Sequence, residues 1–180
     1  MRRVNTETMI IRDATLADLG AIRQIYNATI LTSTAAWTEQ HQTLEQREVW
    51  FATQQSGGFP VLVAVTGQLV LGFAAYGHFR GAGQWPGYSF TGEHTIHVRE
   101  EFWGTGVGRA LLETLCQRAT DAGLHVLVAA IDSDNKASVA FHERVGFVEV
   151  ARMPEVGHKF GRWLHLILMQ RILDSRDRPG

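Results

Sequence analysis

The amino-acid sequence predicts a single α/β domain with a mixed central sheet and helices on both faces. Three observations predict it. Short apolar runs of strand length alternate with segments whose apolar residues recur every three to four positions. Two early runs are separated by a tight turn, which makes them antiparallel neighbours, while a later strand–helix–strand succession requires a crossover and hence a parallel pair. Finally, the 180 residues are 45% hydrophobic, enough apolar side chain for one core without disulfides.

The elements follow in order. "MIIRDA" (9–14) reads as a first strand. Thr15, with Asp18 three residues on, offers an N-cap to a helix whose Leu19, Ile22, Ile25 and Tyr26 share one face. "TSTAAWT" breaks that pattern. Thr43 and Gln46 make a capping box for a second helix, with Trp50 and Phe51 turned inward. "PVLVAV" and "LVLGFAAY" flank "TGQ" as a hairpin, and "HFRGAGQWPGYS" has too many glycines for an element and reads as a loop over a site. "FTGEHTIHV" is a strand, followed by a glycine stretch and a helix to about Ala122, which Gly123 stops. "HVLVAAI" is a buried strand, "NKASVAFHERV" a short helix closed by Gly146, and "FGRWLHLILMQRI" the last strand. The expected order is β-α-α-β-β-β-α-β-α-β-β, in one domain over 1–180 with flexible tails at 1–8 and 174–180.

Composition removes several function classes. A net charge of −1 gives no reason to expect nucleic acid as a partner, and no run approaches the roughly 20 apolar residues of a membrane span. The N-terminal stretch lacks the apolar core of a signal peptide. Cys116, the single cysteine, lies in an apolar helical pattern and reads as a core thiol in a reducing, cytoplasmic setting. His94 and His97 stand three apart on a strand and so point to opposite faces, unable to grip one ion; no metal is expected.

The chemistry concentrates in "EFWGTGVGRALL" (101–112), which places three glycines where a helix has to nucleate. Glycine there costs backbone entropy, and exposed amides at a helix start suit a phosphate. A Walker loop needs Lys and Ser/Thr after its last glycine, but Arg109 and Ala110 follow Gly108. The dinucleotide fingerprint finds Gly106, Gly108 and an acid at Asp132, yet Leu111 takes the third glycine's place and "REEF" separates strand from turn. A coenzyme A pyrophosphate loop and a plain glycine-rich turn stand beside it.

Through Trp103-Gly104-Thr105-Gly106-Val107-Gly108 the chain resembles the GNAT superfamily of acetyltransferases, whose loop reads Gln/Arg-x-x-Gly-x-Gly/Ala; Trp103 stands where Gln or Arg is usual. The resemblance runs from about Met9 to Leu173. It is nearest to the branch of phosphinothricin and methionine sulfone/sulfoximine N-acetyltransferases, through "IYNATILTSTAAW", "GEHTIHV", "FHERVGF" and "VGHKFGRWLHL". It implies a GNAT-like acyltransferase fold and acetyl-CoA as cosubstrate. The implied cofactor contacts are Gly104, Thr105, Gly106, Val107, Gly108 and Arg109 in the loop, Ile96, His97 and Val98 on the preceding strand, and Asn135, which also reads as an N-cap.

The same resemblance implies Glu93 as the base that takes the proton of the acceptor's ammonium, and the Val98 N–H as oxyanion donor. His142 stands where many members carry a tyrosine and is implied as general acid or partner of the leaving thiolate. The implied acceptor is a small amino acid analogue of the phosphinothricin, methionine sulfoximine or methionine sulfone type. Arg80, Lys159 and Arg162 are candidates for its anionic groups, with Pro86, Gly87, Tyr88 and Trp163 against the remainder. Branch members are commonly homodimers, and a homodimer is expected. The alternatives are acetylation of another small amine or a protein N-terminus, a non-catalytic acetyl-CoA-binding sensor, and a nicotinamide-dependent reductase.

Overall fold

A computed structural model describes residues 9–80 and 85–179; the expected tail at 1–8, residues 81–84 of the glycine-rich loop and Gly180 lie outside the described residues. The elements run β1 (Ile10–Asp13), α1 (Leu19–Thr32), α2 (Leu44–Ser56), β2 (Val61–Thr66), β3 (Leu69–His78), β4 (Thr91–Val98), α3 (Val107–Asp121), β5 (Val126–Asp132), α4 (Lys136–Arg144), β6 (Val148–Lys159) and β7 (Arg162–Ile172). This is the order the sequence predicts.

Local chemistry sets the boundaries. Thr15 and Asp18 form a reciprocal box, but it closes a single 3-10 turn, Leu16–Asp18, that then runs into α1. Thr43 opens α2 as expected: its hydroxyl accepts from the Gln46 N–H at 3.1 Å, and Gln46 accepts from the Thr43 N–H at 2.9 Å. Gly123, at φ +84°, ends α3, with the Leu124 N–H on Ala119 O and the Gly123 N–H on Thr120 O, both at 2.9 Å. The same double bond pattern recurs at Gly146 behind α4. Each cap turns the chain straight into the following strand.

The seven strands form one sheet in the order β1-β2-β3-β4-β5-β7-β6, antiparallel throughout except for the parallel β4–β5 pair. The hydrophobic alternation along the strands feeds two cores. On one face Leu19, Ile22, Ile25 and Phe51 of α1 and α2 cover Val61, Val63, Phe73 and Ala75. On the other, Leu111, Leu112, Leu115 and Cys116 of α3 cover Leu62, Leu71, Ala74 and Leu127, with Phe147 beside them. Cys116 is therefore the core thiol expected, and burial raises its pKa.

Past β7 the chain is held down, which corrects the expected loose tail for its first residues. Asp174 pairs with His125 and Arg176, and Arg176 donates to Gly123 O at 2.8 Å while lying over the Phe90 ring. The β4–β5 pairing is partial. The β4–β5 register covers only Thr91–Glu93 against Val126–Val128, so the C-terminal halves of both strands run on unpaired with each other.

Candidate active site

The unpaired half of β4 presents main-chain groups. The Arg99 N–H donates to Leu71 O at 2.9 Å, and Val98 stands opposite Gly72. Val98 is thus at a wide position of the antiparallel ladder, where a residue's own N–H and C=O turn away from its partner strand. The period of two gives Ile96 the same orientation, so both residues offer their amides and carbonyls to the gap beside β5. His97 faces the other way. Its main chain pairs with Phe73 on β3, and its ring nitrogens meet Thr29 Oγ1 at 3.3 Å and Thr95 Oγ1 at 3.1 Å. The expectation that His97 contacts the cofactor is corrected: it is a wall residue of the α1–α2 layer, and burial, assisted by Arg47, lowers its pKa to about 4.

Beyond β4 the chain makes the glycine turn. Gly104 (φ +73°) and Gly106 (φ +94°) are left-handed, and beyond their immediate chain neighbours no described atom lies within 4 Å of where a Cβ would stand on either. Their backbone shape requires glycine, and the space around them is open. Gly108 differs: it has no left-handed φ, and a Cβ there would meet the Phe141 ring at 3.4 Å, an ordinary contact. Gly106 is the N-cap of α3, and the following amides of Val107, Gly108 and Arg109 are first-turn donors without an intrahelical carbonyl. Thr105 turns its hydroxyl inward to Phe102 O at 2.7 Å. Arg109 is exposed and paired with Glu113 at 2.8 Å, which moderates the charge it can lend. These donors and this space fit a pyrophosphate, and the gap beside Ile96 and Val98 fits an extended amide-bearing arm.

Two titratable groups flank the gap from opposite faces of β4. Glu93, on the α1–α2 face, is reached by solvent, yet the surrounding protein is dense enough that desolvation raises its pKa. From the α3–α4 face comes His142, 3% exposed. Its Nδ1 lies 2.7 Å from Ser138 O, an acceptor only, so Nδ1 carries the proton and the buried Nε2 is a bare lone pair. Burial lowers its pKa. The resting imidazole therefore has no proton on Nε2 to give, which corrects its expected role as a standing general acid. His94 stacks on it at 5.2 Å between centroids, with both ring nitrogens buried and unpartnered and its pKa well below the ordinary value. His94 and His97 do lie on opposite faces of the sheet, as their spacing predicts.

Asn135 caps α4 through Oδ1, which accepts from the Ser138 N–H at 3.1 Å; its amide nitrogen is not used by the cap. The acceptor-side candidates separate sharply. Lys159 is 1% exposed, and its ammonium donates to Ser33 O and Ala36 O, both at 2.7 Å. It pins the β6–β7 hairpin to the α1–α2 connection and is not a free anion partner. Arg162 is likewise committed, to Asp134 at 2.7 Å. Arg80, at φ +53°, remains exposed near the Tyr88 ring, and Pro86–Tyr88 forms an exposed 3-10 turn. Trp163 is exposed, edge-on to His158.

Two features escape the sequence reading. A Cβ at Gly157 would stand 2.2 Å from the Trp37 ring, so the first glycine of "GHKFG" exists to seat that indole. Arg47 is 3% exposed on α2, stacked 4.5 Å from the ring centroids of both Tyr26 and Trp50, with Gln42 as its hydrogen-bond partner. Nothing in "LEQREVW" distinguishes it from a solvated arginine.

Comparison with known proteins shows the family. The model of the acetyltransferase (GNAT) family matches residues 22–147. An L-methionine sulfoximine/L-methionine sulfone acetyltransferase of Pseudomonas aeruginosa is 47% identical over 172 residues, covering 94% of this chain and 98% of the relative. The L-amino acid N-acyltransferase MnaT of Escherichia coli is 43% identical over 171 residues, covering 95% and 98%. A phosphinothricin acetyltransferase of Sinorhizobium meliloti, solved in complex with acetyl-CoA, superposes with a TM-score of 0.89 at 33% identity, covering 96% of this chain and 94% of that one.

Proposed function

Since the chain belongs to the GNAT family and is an acetyl-CoA-dependent N-acetyltransferase, we propose that its acceptor is the α-amine of a small amino acid analogue of the methionine sulfoximine, methionine sulfone or phosphinothricin type. One observation carries the reading. A stretch of β4 main chain, unpaired toward β5, lies between the solvent-reached carboxylate of Glu93 and a glycine turn with open space around it.

Each residue then has a task. The first-turn amides of α3 and the turn's backbone bind the pyrophosphate, while the N–H and C=O of Ile96 and the N–H of Val98 align the pantetheine arm. Asn135 adds its amide NH₂ to the arm. Glu93 takes one proton from the acceptor's ammonium, freeing the nitrogen lone pair to form the new C–N bond at the thioester carbon. As the C–S bond breaks, the second amine proton passes through the bare Nε2 of His142 to the departing sulfur. The proton on Glu93 goes to solvent, and the sum is amide, free thiol and one proton. Arg80 meets the acceptor's anionic end, and the backbone of Pro86, Gly87 and Tyr88, with Trp163, bounds its side chain.

We place the enzyme in the cytoplasm, in keeping with Cys116 as a free thiol, and read it as a homodimer. Support for the dimer comes from β6, an edge strand that exposes Val148, Val150, Met153 and Val156. The test is thiol release from acetyl-CoA against a panel of amino acids that includes all three analogues. Rapid release with one of them is expected. A wild-type protein that binds acetyl-CoA yet releases thiol with no amino acid on the panel sinks the acceptor class.

A further inference from the structure

Trp103 is 64% exposed, but it is not loose. Its indole N–H donates to Val98 O at 2.8 Å. That carbonyl is one of those β4 turns toward the gap, so the side chain reaches back from the glycine turn to the strand end. The indole is consequently anchored by its polar edge with much of its apolar surface left to solvent. Next to it lie Gly104 and Gly106 with their open surroundings. Exposure alone does not set Trp103 apart, since Trp85 and Trp163 are comparably exposed; its anchored edge beside an open glycine turn does, and a flat aromatic face held there suits an apolar ligand group that covers it.

The chemistry of coenzyme A identifies that group. Between its pyrophosphate and its first amide lies the pantoyl segment, whose geminal dimethyl is the bulkiest apolar part of the arm. With the pyrophosphate on the α3 amides and the amides along Ile96 and Val98, the pantoyl carbons span the interval that Trp103 bridges. We infer that the Trp103 indole is the wall on which the pantoyl segment packs, an assignment that rests on the acetyl-CoA reading above. The indole also takes the Val98 carbonyl for itself. The gap-facing groups left for the arm are the Val98 N–H and the N–H and C=O of Ile96.

Calorimetric binding to the full chain tests this without turnover, using acetyl-CoA and S-acetylpantetheine, which keeps the pantoyl segment and lacks the nucleotide. Trp103→Gln retains a donor for Val98 O and loses the ring; Trp103→Phe retains a ring and loses the donor. For Trp103→Gln the Kd of both ligands is expected to rise by the same factor, roughly tenfold, with a smaller rise for Trp103→Phe. A loss confined to acetyl-CoA overturns the assignment, because the ring then serves the adenine. Unchanged affinities in both variants overturn it as well, making Trp103 a spectator while the acetyltransferase reading stands. Wild-type protein that binds neither ligand overturns that reading and this one together.

Discussion

Glu93 combines solvent access with a pKa raised by burial, and the two have separable consequences. Glu93→Gln is expected to slow acetyl transfer by about 10²- to 10⁴-fold while leaving the acetyl-CoA Kd unchanged. The stability sign follows from the direction of the shift. A carboxyl whose folded pKa exceeds its unfolded one stabilises the fold when protonated, and this contribution is lost as pH rises through the folded value. Glu93→Gln should therefore raise the melting temperature at pH 7 and lose that advantage below the ordinary carboxylate pKa; a lower melting temperature at pH 7 would mean the carboxylate is favourably paired. The capping role of Asn135 was legible from its motif alone, because the bond to the Ser138 N–H closes within three residues. Lys159 was not, because a lysine reads the same in a sequence whether its ammonium meets water or two buried carbonyls. Burial, which decides between those fates, is a property of the folded hairpin.

The caps of α2, α3 and α4 were written in local letters, Thr43 with Gln46, Gly123 and Gly146, because each bond closes within a few residues. The parting of β4 from β5 was not. "GEHTIHV" has the same alternation whether one edge or both edges of the strand are paired, and only the register shows where pairing stops. The glycines of two elements should fail differently. Gly106→Val forces a branched side chain into φ +94° at the start of α3 and should abolish acetyl-CoA binding in calorimetry. Gly157→Ala drives a methyl into the Trp37 ring and should raise the acceptor KM with the acetyl-CoA Kd unaffected. Equal damage to both affinities by Gly157→Ala would show that the hairpin supports the cofactor side too.

At the scale of the molecule, the alternation of helices and strands disclosed the fold class and the element order, whereas the insertion of β7 between β5 and β6 depends on contacts far apart in the chain. The acid response belongs here as well. His94, His97 and His142 are all buried with pKa values below the ordinary 6.5, so the unfolded chain binds protons the native state refuses. Stability should fall as pH drops below about 6.5, and His94→Phe should flatten that fall in melting curves from pH 7.5 to 5. A lysine at Met153, on the exposed β6 edge, should shift the molecular mass in light scattering to that of a monomer. An unaltered mass would overturn the proposal that β6 forms a dimer contact.

The pinning of the hairpin has a bearing on how this scaffold can be re-engineered or can drift. Lys159 reads Ser33 and Ala36, Gly157 receives Trp37, and the Phe160 N–H is taken by Glu39 at 2.8 Å. Residues 33–39 and 157–160 are thus two halves of a lock and key within one chain. A graft of either half from a relative with a different acceptor strands an ammonium or an indole against a mismatched surface; exchanging both halves together transfers the lock intact.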